Sequence, residues 1–169
     1  MRISADERKA SGWSAASRSP AGLSEESHNR KILPMFEFIT DTTRTLLDLF
    51  ASGTLKRSPN VRLVVPHSGS CLPVALDRYY GIMRSQGNTE PAPIDQLYFD
   101  LACDAYPRGA KILLTLTDHS HILYGTDFPA IPEFVLRNHL NTTRTCEDFC
   151  GHTEEVLGKN ALQLLSITL

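Results

Sequence analysis

Hydrophobic positions along the chain group into short apolar runs that are separated by longer segments with helical spacing. Three runs rich in β-branched and aromatic residues predict strands near 61–66, 97–103 and 121–126. Each run is continuous rather than alternating, which is typical of parallel strands that are covered on both faces. Because helical segments lie between the runs, the pattern predicts βα units and an α/β fold with a parallel sheet.

Predicted helices occupy much of the remaining chain. The first begins at Asp41, a good N-cap residue, continues through Leu46 and Phe50, and stops or kinks at Gly53. Further helices are predicted over 72–84, 109–116, 133–140, 143–150 and 153–165. The chain therefore has enough amphipathic helix to cover a sheet.

The first 31 residues differ from the rest. They contain seven serines among charged residues and show no sustained period, so we expect a poorly ordered lead-in over 1–31 and one domain over 32–169. The lead-in has no apolar signal segment, and its acidic residues make a transit peptide the weaker alternative. The sequence thus predicts a cytosolic protein.

Charge and composition exclude two classes of partner. The 17 Lys and Arg residues against 19 Asp and Glu give a net charge of −2, without the basic cluster that nucleic-acid binding requires. No apolar run approaches the roughly 20 residues of a membrane-spanning helix. We therefore expect neither nucleic acid nor membrane as a partner.

The four cysteines do not form a recognisable motif. Cys71, Cys103, Cys146 and Cys150 contain no CxxC pair, so a zinc ribbon or a thioredoxin-type site is unsupported. Cys146 and Cys150 have the i, i+4 spacing of one helical face, but two thiols do not make a structural zinc site. We interpret all four as small buried or half-buried thiols in a reducing compartment.

Two chemically useful residues follow predicted strands. His67 comes after the first strand within His-Ser-Gly-Ser, and Asp127 comes after the third within Gly-Thr-Asp-Phe-Pro. In parallel α/β folds, functional side chains gather at the carboxyl ends of the strands. A histidine and an aspartate at that edge can bind a metal or act as general acid and base, although each is also common in structural roles.

Several separated motifs resemble one family. The stretch FEFITDTTRTLLDLFASGTLKRSPNVRLVVPHSGSCLPVALDRYY, and then YFDLA, HILYGTDFP and GKNALQLL, are similar to segments of the amidohydrolase-type decarboxylases. These metal-dependent carboxy-lyases include aminocarboxymuconate-semialdehyde, γ-resorcylate and 6-methylsalicylate decarboxylases. The resemblance runs from about Pro34 to Leu165 and keeps the motifs in the family's order.

The resemblance implies the C-terminal part of a (β/α)₈ barrel, with the three strands as strands six to eight. A whole barrel takes about 250 residues. The family's strand-one metal motif and its strand-five metal-ligand histidine have no counterpart here, because the region before Pro34 offers only His28 without a strand. We therefore expect an incomplete metal site.

Residue by residue, the resemblance assigns three roles. Asp127 matches the strand-eight aspartate, which in the family binds the metal and takes part in proton transfer. His67 matches the strand-six histidine, which activates water or shuttles the proton. Arg78 matches an arginine that in some members holds the substrate carboxylate, sometimes across a dimer interface; a solvated helix-face charge is the alternative. Ser70 stands where the family often has a second glycine, so the turn after His67 is expected to differ.

His119-Ser120-His121 mimics a metal motif but occupies the wrong place. It precedes the third strand, which at about 3.3 Å per residue puts His121 roughly 20 Å from Asp127 along the strand. We therefore expect neither histidine to bind the metal. The Asp41–Arg44 segment is interpreted as a helix start, with a family-like part in positioning the site or in subunit contact.

The implied activity is non-oxidative decarboxylation of an aromatic or enol-type carboxylic acid. The resemblance implies a divalent metal, zinc most often and manganese in some cases, and a homo-oligomer, most simply a dimer. Metal-dependent hydrolysis on the same scaffold is the chemical alternative. A non-catalytic barrel fragment that acts only as an assembly partner is the alternative from another class.

Overall fold

The computed structural model describes residues 33–103 and 105–166, so the predicted lead-in over 1–31, with His28, lies outside the described residues. The chain divides into two compact units. One comprises residues up to Leu63 together with Ser70–Gln96, and the other comprises Val64–Gly69 and the chain from Leu97 onward.

The first unit is helical. Its segments are a π-helical turn Leu33–Glu37, α1 (Phe38–Ala51), α2 (Thr54–Arg57), α3 (Leu72–Ser85) and a 3₁₀ turn Ile94–Gln96. The predicted N-cap at Asp41 is wrong, because the helix already runs from Phe38 and the Asp41 carboxylate instead accepts a hydrogen bond from Arg44 at 2.7 Å. The predicted stop at Gly53 is confirmed: α1 ends at Ala51, and Gly53 takes a left-handed φ of 68° that suits glycine.

Apolar side chains on the facing sides of these helices form the core of the first unit. Leu46 and Phe50 of α1 are buried, as are Leu72 and Leu76 of α3. The Phe50 ring meets the ring of Tyr79 edge to face, with centroids 6.0 Å apart. Burial of these aliphatic and aromatic groups stabilises the unit by the hydrophobic effect.

The second unit contains a three-stranded sheet in the order β1-β2-β3. Its strands are β1 (Leu63–Val65), which begins at the unit boundary, β2 (Leu97–Asp100) and β3 (Ile122–Leu123). β2 and β3 pair in parallel, with Phe99 opposite Ile122. The predicted mixed α/β fold with a parallel sheet is confirmed.

All three strands are shorter than the apolar runs that predicted them. The run before β1 begins in a turn, where the Val61 amide donates to the Ser58 carbonyl at 3.0 Å. The run before β3 begins in a 3₁₀ turn, His119–His121, because the Asp118 carboxylate accepts the Ser120 amide at 2.8 Å. Local hydrogen bonds thus compete with the sheet for the ends of the runs.

Helices follow the strands of the second unit. They are α4 (Arg108–Leu113), α5 (Glu133–Thr145), a 3₁₀ turn Glu147–Phe149, a π-helical turn Glu155–Lys159 and α6 (Asn160–Leu164). The two helices predicted over 133–140 and 143–150 are instead one helix with a 3₁₀ turn after it. Within this longer helix, Thr142 and Thr143 donate their hydroxyls to carbonyls one turn back.

This helix end also changes the interpretation of two cysteines. Cys146 and Cys150 flank the 3₁₀ turn in extended backbone conformations, so they do not share a helical face. Cys71 and Cys146 are half-buried, but Cys103 and Cys150 are exposed, so the expectation that all four thiols are buried or half-buried is wrong for these two. Within the described part of the chain, no helix combines the length and the apolar character that a membrane crossing requires.

A buried asparagine fastens the last helix to the sheet. Asn160 is 4% exposed, and its side-chain amide donates to the carbonyls of His119 and Ile122 at 2.7 and 2.8 Å. These carbonyls flank the start of β3, at the edge opposite the carboxyl ends of the strands. A buried carbonyl without a hydrogen-bond donor costs free energy, and this one side chain supplies a donor to two such carbonyls.

We predict that Asn160→Asp lowers the free energy of unfolding by about 3 kcal/mol, because a carboxylate replaces the donor and faces two buried carbonyls. Gln163→Glu on the exposed side of α6 makes the same kind of change and is expected to stay within about 0.5 kcal/mol of wild type. Urea unfolding followed by circular dichroism measures both variants. Equal losses would contradict the role given to Asn160.

Candidate functional site

The carboxyl ends of the three strands meet at one edge of the sheet, where three ionisable side chains gather. His67 follows β1, Asp100 ends β2, and Asp127 lies four residues beyond β3. The charges of His67 and Asp127 both act on the Asp100 carboxyl. The expectation that His67 and Asp127 share one end of the sheet agrees with this geometry; their chemical roles stay predictions.

His67 stands in an unusual turn. The four residues His67, Ser68, Gly69 and Ser70 have φ values of 58°, 54°, 77° and 58°, a run of left-handed conformations. Only glycine adopts this region freely, and a Cβ at Gly69 would also press on the Phe99 ring, at 3.2 Å from the nearest ring carbon. Ser70, which stands where the family often has a glycine, takes the left-handed conformation that a glycine adopts freely.

Asp127 also has a left-handed backbone, with φ of 60°, and is half-buried. Its carbonyl accepts the amides of Ala130 and Ile131 at 2.8 and 3.2 Å, so the chain turns directly after it. Phe128 projects into solvent with 65% of its surface exposed. Asp127 is thus presented on a tight loop beside an apolar side chain.

Asp100, which sequence analysis missed as a site residue, lies between the other two. Its Oδ1 accepts the backbone amides of His67 and Ala102, both at 3.0 Å. Burial raises the pKa of the Asp100 carboxyl above its ordinary value and Asp127 adds to the rise, while the two amides and His67 oppose it. The available signal was an acidic residue inside the apolar run 97–103.

Gly125 lets the Asp127 loop approach β2. A Cβ at Gly125 would lie 3.0 Å from both Cβ and Cγ of Asp100, closer than carbon atoms normally pack. Gly125 is not among the residues with positive φ, so its small size rather than its backbone freedom is what this position requires.

His119 and His121 lie at the opposite end of β3, as expected. The His119 ring stacks on His152 with centroids 4.2 Å apart, and its Nε2 lies 2.8 Å from the Asp148 carbonyl. The His121 ring packs on Tyr98, and its Nδ1 lies 3.3 Å from the Thr117 hydroxyl. Both rings therefore have structural contacts at the amino ends of the strands.

Arg78 lies on α3 in the first unit, and its side chain is exposed. None of the ion pairs among the described residues involves it. Its assignment to a substrate carboxylate therefore stays a prediction.

The residues at the sheet edge fit a divalent metal only in part. Asp127 and His67 offer the oxygen and nitrogen donors that such ions take, yet a catalytic zinc site normally has three protein ligands. Within the described residues, no group of three histidine, cysteine or acidic side chains could hold an ion. The described residues therefore do not form a metal site by themselves.

Sequence comparison finds fungal relatives. The chain is 29% identical over 153 residues to the decarboxylase yanB of Aspergillus niger. The aligned region covers 81% of this chain and 41% of yanB. It is 32% identical over 146 residues to the 6-methylsalicylic acid decarboxylase acuB of Aspergillus aculeatus. That alignment covers 78% of this chain and 43% of acuB. No protein-family model matches the chain.

Structure comparison finds solved structures with the same fold. An amidohydrolase II structure superposes with a TM-score of 0.77 and 26% identity, over 88% of this chain and 49% of that one. A dihydroxybenzoic acid decarboxylase from Polaromonas, with bound manganese and the inhibitor 2-nitroresorcinol, superposes with a TM-score of 0.64 and 19% identity, over 82% and 44%. The chain thus spans less than half the length of these relatives and structures.

We predict that Gly125→Ala destabilises the chain by about 1–3 kcal/mol, because the new methyl group overlaps the Asp100 side chain next to the backbone. Gly158→Ala is the matched control, since a Cβ at Gly158 meets nothing within 4 Å. It is expected to be neutral or to stabilise the helical turn by up to about 1 kcal/mol. Urea midpoints of the two variants test this; an unchanged midpoint for Gly125→Ala would mean that the loop does not pack on Asp100.

Proposed function

We propose, from the confirmed resemblance to the amidohydrolase-type decarboxylases, that this chain carries one part of a metal-dependent carboxy-lyase site. The substrate class is an aromatic or enol-type carboxylic acid such as a hydroxybenzoate. The observation that carries the proposal is that the segments of His67 and Asp127 both pack on Asp100 at the carboxyl end of β2, the edge where barrel enzymes build their sites. The free thiols of Cys71, Cys146 and Cys150 are compatible with the cytosolic setting that we propose.

Decarboxylation requires that the ring carbon that loses the carboxyl group gain one proton. The bond between the ring carbon and the carboxyl carbon breaks, its electron pair stays on the ring carbon, and a proton joins that carbon as carbon dioxide leaves. His67 suits the transfer because an imidazole can both accept and donate a proton. The left-handed turn holds this imidazole at the sheet edge. Phe128, which follows Asp127 in the chain, offers an exposed apolar surface to the ring of an aromatic substrate.

We propose Asp127 as a metal ligand, with His67 at the same edge of the sheet. A bound divalent cation supplies positive charge that stabilises the developing negative charge of the substrate. The related decarboxylase from Polaromonas holds manganese, and we propose zinc or manganese for this site. Since the described residues do not supply three ligands, we propose that the others come from polypeptide outside them.

The sheet itself supports the idea of a partial barrel. β1 and β3 each pair with one strand among those described, and Val64 in the middle of β1 is 48% exposed. Parallel strands of an α/β barrel are normally covered on both faces. We therefore propose that these are strands six to eight of a barrel whose other strands cover this surface, or that copies of the chain associate through it as a dimer.

Arg78 completes the proposal as the candidate for binding the substrate carboxylate. Guanidinium groups pair with carboxylates through two parallel hydrogen bonds, which fixes the orientation of the acid. Arg78 is exposed, and so accessible to an acid or to a partner subunit. Arg78→Lys is expected to raise KM more than it lowers kcat, because a lysine keeps the charge but loses the paired geometry.

The incomplete ligand set favours a second candidate function. A non-catalytic fragment that serves only as an assembly partner would keep the fold, the apolar surface and the strand edges without turnover. The two candidates differ in one measurable property, the release of carbon dioxide when the proposed missing part is supplied.

We predict that the 169-residue chain alone releases no carbon dioxide from 6-methylsalicylate or dihydroxybenzoate with zinc or manganese added, and that it is oligomeric or poorly soluble. Two donors hold an ion weakly, and uncovered strands associate. Coupled release assays and size-exclusion chromatography measure both properties. Robust turnover by the purified chain with stoichiometric metal would show that other residues here complete the site.

We predict that co-expression with the N-terminal half of the Aspergillus aculeatus relative restores metal-dependent turnover if this chain supplies the rest of the site. In that complex, Asp127→Asn and His67→Asn are expected to lower turnover at least a hundredfold. Asparagine suits both positions because it tolerates the left-handed backbone while it removes the charge or the imidazole. His121→Ala serves as the control and is expected to stay within about threefold of wild type; equal losses would contradict the site assignment.

A further inference from the structure

We propose that Asp100 is a positioning residue that holds His67 and the Asp127 loop in their working arrangement. The proposal rests on the proposed function for its catalytic relevance, but the arrangement itself is a property of this chain. Asp100 does not need to touch the substrate or a metal to act in this way. Its side chain acts on the backbone that presents His67 and on the loop that presents Asp127.

Asp100 clamps the backbone of the turn that carries His67. A single oxygen of Asp100, Oδ1, accepts the amide of His67 from one segment and the amide of Ala102 from its own segment, both at 3.0 Å. The main-chain carbonyl of Asp100 accepts the next amide, that of Ser68, at 2.8 Å. Residue 100 therefore binds two successive amides of the turn, one through its side chain and one through its backbone.

This clamp maintains an unfavourable backbone conformation at His67 and Ser68. His67 and Ser68 both have left-handed backbones, which are unfavourable for residues with a Cβ. Such conformations persist where surrounding contacts determine them, and they concentrate at functional sites. The carboxylate is a strong acceptor in a half-buried position, so its bond to the His67 amide opposes relaxation of the turn.

Asp100 also contacts the loop that carries Asp127. Gly125 packs so closely on the Cβ and Cγ of Asp100 that no side chain fits between them. The Asp100 side chain thus limits where the chain leaves β3 on its way to Asp127. One residue at the end of the central strand therefore fixes both outer segments of the edge.

A purely structural role would predict loss of stability alone, whereas positioning predicts a local change in a folded chain. Asp100→Asn keeps an Oδ1 acceptor of the same shape and removes the charge. Asp100→Leu has a similar shape but no acceptor, and Asp100→Ala removes both shape and acceptor. If positioning depends on the acceptor, Asn preserves the local structure, while Leu and Ala lose it.

Amide hydrogen exchange of the ¹⁵N-labelled full chain tests the clamp. In Asp100→Leu and Asp100→Ala, we expect the His67 and Ala102 amides to exchange at least tenfold faster. The Leu101 amide, which donates to the Leu123 carbonyl, is the internal control and is expected to stay within threefold of wild type. In Asp100→Asn, all three amides are expected to keep their protection.

The His67 ring resonances at one fixed pH give the readout that a merely structural role would not move. They are expected to shift towards unstructured values in folded Leu and Ala variants and to stay native in Asn. Native ring resonances with a lost clamp would overturn the proposal. If Leu and Ala do not fold, the Asn variant decides: loss of His67 protection there overturns the proposal, and its retention supports it.

Activity separates this inference from the proposed function. In the co-expressed complex, Asp100→Leu is expected to lower kcat at least tenfold with KM within twofold, and Asp100→Asn to restore kcat to within threefold of wild type. Normal kcat in the Leu variant would overturn the positioning role. A wild-type complex without turnover would contradict the proposed function instead, and the exchange and ring measurements would then decide the role of Asp100.

Discussion

The candidate site depends on one carboxylate oxygen that bridges two backbone amides at the end of the central strand. Oδ1 of Asp100 accepts the amides of His67 and Ala102, and so joins the end of β1 to the end of β2. The turn that carries His67 is left-handed at four successive positions, a geometry that local backbone preference opposes. The bond between strands therefore maintains what the turn by itself would not adopt.

Electrostatics at this edge follow from the same arrangement. Burial raises the pKa of the Asp100 carboxyl and the neighbouring Asp127 charge adds to the rise, whereas the two amides and His67 stabilise the ionised form. A half-buried acid that is held by two amides is well suited to a fixed structural position. Asp127, on a tight loop beside exposed Phe128, is better placed to meet a ligand.

The opposite edge of the sheet has a different character. There the histidines that resemble a metal motif are engaged with rings and carbonyls, and Asn160 satisfies two carbonyls at the start of β3. The polar groups at this end serve packing and hydrogen bonding. Parallel barrels usually separate a structural edge from a functional edge, and an amidohydrolase II structure of the same fold superposes on most of this chain.

The sequence alone determined the three strands in order, the α/β class and the family resemblance, because continuous apolar runs and turn motifs are local signals. It also placed His121 before the third strand and Asp127 after it, at opposite ends of that strand. Only the tertiary structure decided that Asp100 joins the strand ends and that Gly125 is required for space. Both depend on segments brought together from distant parts of the chain. The helix boundaries at Asp41 and around Thr143 were wrong because both helices extend past the apolar pattern, one from Phe38 and the other to Thr145.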